Sequence, residues 1–449
     1  MKKLWNQSKT VSNKLVDEYC FKEGIELDNS LVLYDVYGSI AHAKMLSKIG
    51  ILNNDEFLKL KKYLNEIIVL YKNGEFKISH DDEDVHTKIE NYLTEKLGDL
   101  GQKIHTGRSR NDQVLVDLRL YSKEKLLNMN VSINQLIDTF IMFAKKYEFI
   151  PMPGYTHMQK AMPSSVGMWA GSFAEQLLDQ LTILKSVYKL NDQSPLGSGA
   201  AYGVSLPINR ELTAKLLGFS KVQNNSLYCQ ISRPTIQLSI VQVLTQIMLC
   251  SSRFAQDILL FTTNEFNYFE VDESICTGSS IMPQKKNLDL MEYARAKTHM
   301  VIANQQLMSS LTAGLPSGYN ADFGQTKKPF MESFDITIQT LEVLKLTLNS
   351  IKPNVEVLIK SCTPELYATH FSYELVKQGM PFRKAYSKIK QNLSQLESSY
   401  PAPFLKLSNH SGGTNNLKLN LISKNLDKQN IFWKKIKQKN KKVISLLLS

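Results

Sequence analysis

The sequence predicts an all-α fold organised around a long central helical bundle, and three observations carry that prediction. Apolar residues recur at steps of three and four over long stretches, as on the buried stripe of an amphipathic helix. Breaks rich in glycine and proline separate those stretches. Nowhere do short alternating strands interleave with helices in the manner of a doubly wound sheet.

The first stripe runs through Leu126, Met129, Ile133, Leu136, Phe140 and Phe143. A second takes Val166, Trp169, Phe173, Leu177, Leu181, Leu184 and Tyr188. The third is longer, from Ile236 through Ile240, Val243, Ile247, Cys250, Phe254 and Ile258 to Phe261. A fourth follows the loop TGSSIMPQKKN (277–287), and a fifth covers about 331–350. Long helices with one apolar stripe each bury it by packing side by side, which makes a bundle. PMPGYTH (151–157), SPLGSGAAYGVSLP (194–207), TGSSIMP (277–283) and GLPSGYN (314–320) are the breaks between them. Shorter helical patterns flank this region. The expected organisation is therefore an N-terminal helical domain over 1–107, the bundle over 108–352 and a small helical domain over 353–449.

At 449 residues and 43% hydrophobic content the chain can bury sizeable cores. No run approaches the roughly eighteen consecutive apolar residues of a membrane span. MKKLWNQSKT at the start has two lysines with no apolar stretch behind them, so no secretory signal is expected. Five scattered cysteines without CxxC spacing point to a reducing, cytoplasmic setting and away from a structural metal. Much of the net charge of +12 lies in the last stretch, FWKKIKQKNKKVISLLLS, expected as a basic helix facing solvent. No zinc finger or recognition-helix pattern supports a nucleic-acid partner, while a site that attracts small anions fits the same charge.

Four stretches concentrate chemistry. DDEDVHTKIENYL (81–93) sets Asp82, His86 and Glu90 four apart, a helix-face spacing, but lacks the HExxH arrangement of a metal site. Ordinary helix charge competes there with a substrate or interface role. HTGRSRNDQ (105–113) gathers Arg108, Arg110, Asn111, Asp112 and Gln113 at a helix start. Guanidinium forks suit carboxylates, and Asp112 is also a natural helix cap. GYTHMQ holds His157 after a Pro-Gly turn and before a helix, among polar neighbours, where an imidazole can exchange a proton near neutral pH. TGSSIMPQKKN joins Gly278, Ser279 and Ser280 to Lys285 across Pro283. Small residues let backbone amides approach an anion, and lysine supplies a point charge. Such a loop is equipped to stabilise charge created when a proton leaves a carbon beside a carboxylate.

TGSSIMPQKKN closely resembles the signature loop, GSSxMPxKxN, of the fumarase, aspartase and argininosuccinate lyase superfamily. HTGRSRNDQ and GYTHMQ narrow the resemblance to the argininosuccinate lyase branch. YDVYGSIAHAKML, DEDVHTKIE, SPLGSGAAYG and GMPFRKAY extend it over nearly the whole chain. The resemblance implies three mostly helical domains, a homotetramer around a twenty-helix core, and active sites at subunit corners that combine loops from three chains. It implies reversible cleavage of argininosuccinate to arginine and fumarate without metal or organic cofactor. By the same match Ser279 resembles the base, Lys285 the group holding the aci-carboxylate intermediate, and His157 the residue protonating the departing nitrogen, oriented by Glu292. Arg110, Asn111, Thr156, Asn287, Tyr319 and Lys327 match substrate-binding positions.

Some positions depart from the family pattern. Ala321 replaces an arginine and Gly324 a substrate-binding glutamine, with Gln325 next to it. Leu288 stands in place of proline and Tyr386 in place of histidine, and the early FNxS pattern is absent from YCFKEGIELD (19–28). These changes bear on substrate affinity more than on reaction type. Two alternatives remain at this stage: another fumarate-releasing lyase of the adenylosuccinate lyase, fumarase or aspartase kind, and a structural or interaction protein that keeps the fold after losing turnover.

Overall fold

The computed structural model describes Leu15, Tyr19, residues 24–79, 82–396 and 400–449. The opening MKKLWNQSKT, Cys20 and part of YCFKEGIELD lie outside the described residues. The N-terminal part contains, among the described residues, the long helices α1 (Val32–Lys48), α2 (Asn54–Lys72) and α3 (Val85–Leu97). The bundle follows as α4 (Arg110–Lys146), α5 (Val166–Asn191), α6 (Ser226–Phe261), α7 (Asp289–Thr312) and α8 (Lys327–Asn349). These are the five helices expected from the stripes. Beyond them come α9 (Ala368–Lys377), α10 (Phe382–Gln391) and α11 (Leu419–Leu448).

Helix directions decide where every loop falls. Near the start of α4, the Arg119 Nη2 donates to Ser232 Oγ at 3.2 Å, close to the start of α6. Further along, Phe140 and Phe254 meet edge to face with centroids 5.2 Å apart. Helices α4 and α6 therefore run the same way. Helix α8 joins them, since Lys125 pairs with Asp335 and Lys345 donates to Gln135, each at 2.7 Å. Helix α7 runs opposite to α6, with Arg295 bonded to Gln256 and Thr298 to the Met248 carbonyl. Helix α5 is likewise opposite to α4, because Asn191 donates to the Arg119 carbonyl while Phe173 stacks on Phe140.

Phe140, Trp169, Phe173, Phe254 and Phe269 form the aromatic centre of the bundle, and the Trp169 indole N–H donates to Asp257 at 2.9 Å. Among the described residues α6 is long and apolar enough to cross a membrane, but Ile240, Leu244, Ile247, Phe254 and Ile258 are all fully buried against its neighbours. The basic terminal helix α11 departs from expectation. It lays Leu419, Ile422, Leu426, Trp433 and Leu447 into the main core and turns only its lysine-rich side outward. The break at 107/108 falls just before α4, and that at 352/353 falls inside a short strand.

Among the described residues, three two-stranded sheets qualify the all-α description: β1 (Pro151–Thr156) with β2 (Gln159–Ser165), β3 (Gln193–Ser194) with β4 (Lys221–Val222), and β5 (Phe269–Val271) with β6 (Ile351–Pro353). The first overturns an expectation about His157, which does not precede a helix. It sits at the tip of the β1–β2 hairpin with a φ of 52°, followed by Met158 at 60°. A two-residue reversal with both φ values positive matches the right-handed twist of paired strands.

DDEDVHTKIENYL also resolves differently from its spacing. Asp84 caps α3, so Asp82 stands before the helix and bonds Ser79 and Lys88. His86 is buried and its Nδ1 lies 2.5 Å from Asp35 Oδ2, joining α3 to α1. Burial opposes charge on both groups, but Asp35 holds the imidazole above its usual pKa and His86 holds the carboxylate below its own. The His86 contribution to stability is thus fully present below the unfolded pKa of about 6.5, and lost as pH rises through the raised folded value. The Asp35 contribution is present above about 3.9 and lost as pH falls. Urea unfolding of wild type and His86→Gln should show the largest wild-type advantage between those two values, shrinking as the pH is raised above about 6.5. An advantage that grows toward alkaline pH would exclude a protonated His86.

Candidate active site

The loop TGSSIMPQKKN is built as a closed excursion. Thr277 and Asn287 exchange backbone hydrogen bonds at 2.9 Å in both directions, which pins its two ends together. Thr277 Oγ1 donates to Asp289 at the start of α7, and the Asn287 amide reaches the Gly278 carbonyl at 3.4 Å. Within the loop, Ser279 Oγ accepts the N–H groups of Ile281 at 3.3 Å and Met282 at 3.1 Å. Two amides aimed at one hydroxyl oxygen favour negative charge there. The paired lysines separate, as Lys286 pairs with Glu273 while Lys285 is exposed and has no ion-pair partner among the described residues.

His157 and Thr156 lie exposed on the hairpin at the same end of the bundle. A Tyr155–Tyr268 hydroxyl contact of 2.5 Å ties that hairpin to the segment after α6. Glu292, in the first turn of α7, is exposed and lines an open groove of about 660 Å³ with Arg253, Asp257, Arg295 and His299. No hydrogen bond or ion pair among the described residues links Glu292 to His157.

Arg110, Asn111, Tyr319 and Lys327 occupy the opposite end. Ser109 caps α4 in a reciprocal box with Asp112, so Asp112 is part of the cap. Its other oxygen accepts the Gly197 and Gly199 amides at 2.9 and 3.1 Å, which fastens SPLGSGAAYG to the helix start. Burial pushes the Asp112 carboxyl up to about 6 despite those amides. Arg110 is already engaged, by both Glu83 oxygens, Thr87 Oγ1 at 3.0 Å and Asp84 at 3.5 Å. Lys327 is buried in an ion pair with Asp28. Tyr319 is half exposed and rests edge-on against Phe323. Gly324 faces open space, with nothing within 4 Å of where a Cβ would sit.

Beneath this end lies a cluster of buried charge that spacing alone did not reveal. Arg108 donates to Ser39 at 2.9 Å, Ser39 donates to Asp35 at 3.1 Å, and Asp35 holds His86. Asp35, His86 and Asp117 bring three metal-ligating atoms within 4.8 Å of one another. The donor types would suit a cation, but His86 Nδ1 is used on Asp35, and the charges of Arg108 and Lys327 bear on Asp117. The cluster fits a hydrogen-bonded charge network better than a metal centre.

One chain therefore does not bring the candidate residues together, but divides them between two ends of the bundle. Helix α4 spans about 55 Å over its 37 residues. Arg110 stands at its start, and the chain leaves its end into the His157 hairpin. Ser279, Lys285, Asn287, Thr156, His157 and Glu292 are gathered at one end, and Arg110, Asn111, Tyr319 and Lys327 roughly 50 Å away at the other.

Comparison with known proteins identifies the family and the fold. A family model described as a lyase matches residues 8–303. The argininosuccinate lyase of Thermotoga neapolitana is 42% identical over 389 residues, covering 87% of this chain and 98% of that protein. That of Sorangium cellulosum is 37% identical over 426 residues, covering 95% and 99%. Among solved structures, an EDDS lyase in complex with formate superposes with a TM-score of 0.84 at 20% identity, covering 98% of this chain and 95% of that one, a likeness of fold. With a signature loop, a helix start and a hairpin that all match, and with these relatives aligned over nearly their full length, the chain belongs to the argininosuccinate lyase family of the fumarase and aspartase superfamily.

Proposed function

We infer that this protein catalyses the reversible elimination of argininosuccinate to L-arginine and fumarate, the last step of arginine biosynthesis. The observation that carries it is the 42% identity extending over 98% of an argininosuccinate lyase, in a chain whose serine-lysine loop is set for carbanion chemistry. Ser279 removes the proton from the carbon beside a succinyl carboxylate. The amides of Ile281 and Met282 already point at its oxygen and favour the alkoxide form that a serine base needs. Electrons from the broken C–H bond pass onto the carboxylate, and Lys285 stabilises the resulting aci-carboxylate. When that charge collapses, the C–N bond breaks. His157 delivers a proton to the departing guanidino nitrogen, with Glu292 orienting the imidazole.

The separation of the half-sites determines how the parts meet. We assign the complete site to a homotetramer in which Ser279, His157 and Asn111 reach one substrate from different chains. Tyr293, Met300 and Leu307 support the assembly: they are exposed, and recur every seven residues on α7. Such a spacing is a helix-packing seam awaiting a partner, as a twenty-helix core requires. Asn287 and Thr156 position the succinyl half, and Asn111 and Tyr319 the other. Arg110 and Lys327, held by Glu83 and Asp28, shape the pocket more than they contribute free charge. The four described cysteines are free, in keeping with the proposed cytoplasmic location.

Purified protein should release fumarate from argininosuccinate, read by fumarate absorbance; a folded tetramer without turnover would refute the assignment. Ser279→Ala should lose at least about a thousandfold in kcat while keeping its assembly, and near-normal activity would move the base elsewhere. Mixing inactive Ser279→Ala with inactive Asn111→Ala subunits, then allowing exchange, should restore part of the turnover. No recovery after confirmed exchange would mean that both residues come from one chain. Gly324→Gln has room for its side chain and should lower the Michaelis constant; an unchanged value would show that Gln325 or another group already fills this part.

A further inference from the structure

The N-terminal stretch of α6 carries a charge that no contact among the described residues neutralises. Arg233 is buried, at 4% exposure. Its Nε has no hydrogen-bond partner, and no bond or ion pair among the described residues reaches its terminal nitrogens. Three residues earlier, on the same helix face, Gln230 is fully buried with both amide atoms unpartnered. Four residues later, Gln237 accepts a hydrogen bond from Thr326 Oγ1 at 3.0 Å, and Thr326 immediately precedes Lys327. One face of α6 therefore looks onto the 319–327 segment, presenting a guanidinium and an amide with nothing to bind. Tyr319 and Asp28 are the groups whose charge bears on Arg233.

Leaving these donors empty is expensive. A buried polar group without a partner costs the desolvation of that group, and more for a charge. Asp28 does not relieve it, because its carboxylate is already held by Lys327 and the Val85 amide. The Asp28–Lys327 pair is neutral overall, which leaves Arg233 as a buried positive charge without an ion-pair partner among the described residues. A guanidinium in that state is prepared for a carboxylate, which accepts two parallel N–H bonds from it.

We propose that Arg233 is the specificity-determining residue for the amino-acid end of the substrate, binding the α-carboxylate of the arginine moiety, with Gln230 as its hydrogen-bonding neighbour. The proposal rests on the argininosuccinate reading. The Ser279 and Lys285 loop takes the succinyl carboxylates, so the carboxylate left for this half-site is the one on the amino-acid carbon. Arg233 would supply from the helix wall a positive charge that the loop lacks where Ala321 stands.

Competitive inhibition of turnover by arginine, agmatine and fumarate tests this, with wild type, Arg233→Gln and Arg233→Lys. Agmatine is arginine without its carboxylate. Wild type should prefer arginine over agmatine by at least about thirtyfold, the loss expected when one member of a buried charged pair is removed. Arg233→Gln should raise the arginine inhibition constant by a similar factor, bind the two amines equally, and keep fumarate inhibition unchanged; Arg233→Lys should recover part of the preference. Unchanged arginine inhibition in Arg233→Gln overturns the proposal, as does a wild type that does not distinguish arginine from agmatine. An equal rise for arginine and fumarate would show a merely structural residue and overturns it too. If Arg233→Gln fails to assemble, the wild-type preference and Arg233→Lys decide. If wild type does not turn over argininosuccinate, the functional reading fails, while calorimetric binding of arginine and agmatine still reads Arg233 separately.

Discussion

Helices α4, α6 and α8 point the same way because their aromatic and aliphatic stripes pack in register along their full length, from Arg119 against Ser232 to Phe140 against Phe254. Side chains in such a core interdigitate, so the helices behave as one stiff body. Everything that enters these helices lies at one end, and everything that leaves them at the other. The serine-lysine loop and the His157 hairpin are consequences of the second rule, and Arg110, Asn111 and Lys327 of the first. A rigid body roughly 50 Å long cannot fold back to unite them. The proposed homotetramer would bring such ends together from different copies, and α7 carries Tyr293, Met300 and Leu307 exposed along one side.

The two ends differ in how they treat charge. Around Ser279 the groups are exposed and the loop is held by its own backbone, so the oxygen is prepared by amides and not by burial. At the opposite end charge is taken out of water. Asp28, Asp35, His86, Asp112, Asp117, Lys327 and Arg233 are all buried. Most are paired, yet neither Asp117 oxygen has a hydrogen-bond partner among the described residues, His86 Nδ1 standing 3.8 Å away, and burial beside Asp35 and Asp28 raises that carboxyl well above its usual range. Buried charge adds little net stability compared with apolar packing. Its concentration beneath one end fixes the helix start and the SPLGSGAAYG loop in place through Asp112, and ties Arg108 to Ser39.

Much of the bundle could be read from periodicity. The stripes at Leu126–Phe143, Val166–Tyr188 and Ile236–Phe261 lie within α4, α5 and α6, since a step of three and four keeps side chains on one face of a helix. The β1–β2 hairpin was missed because PMPGYT and QKAMPSS have no apolar alternation; their pairing is fixed by backbone bonds and by the reversal at His157. The basic tail was read as a solvated helix from its lysines, while Trp433 and the leucines of its other face were the signal for packing. Arg233 has a signal too, as the one charged residue in the first half of a long helix, beside Pro234.

By itself the sequence determined the helices, the loop chemistry and the family, because these depend on residues close together along the chain or on motifs long enough to be specific. Tertiary structure decided which groups remain available. Arg110 and Lys327 look like free cations in the sequence, but folding brings Glu83 and Asp28 to them from distant segments. Arg233 looks like one charge among many, but folding buries it without a partner. Pairing and desolvation are properties of three-dimensional neighbours, and no spacing along the chain encodes them.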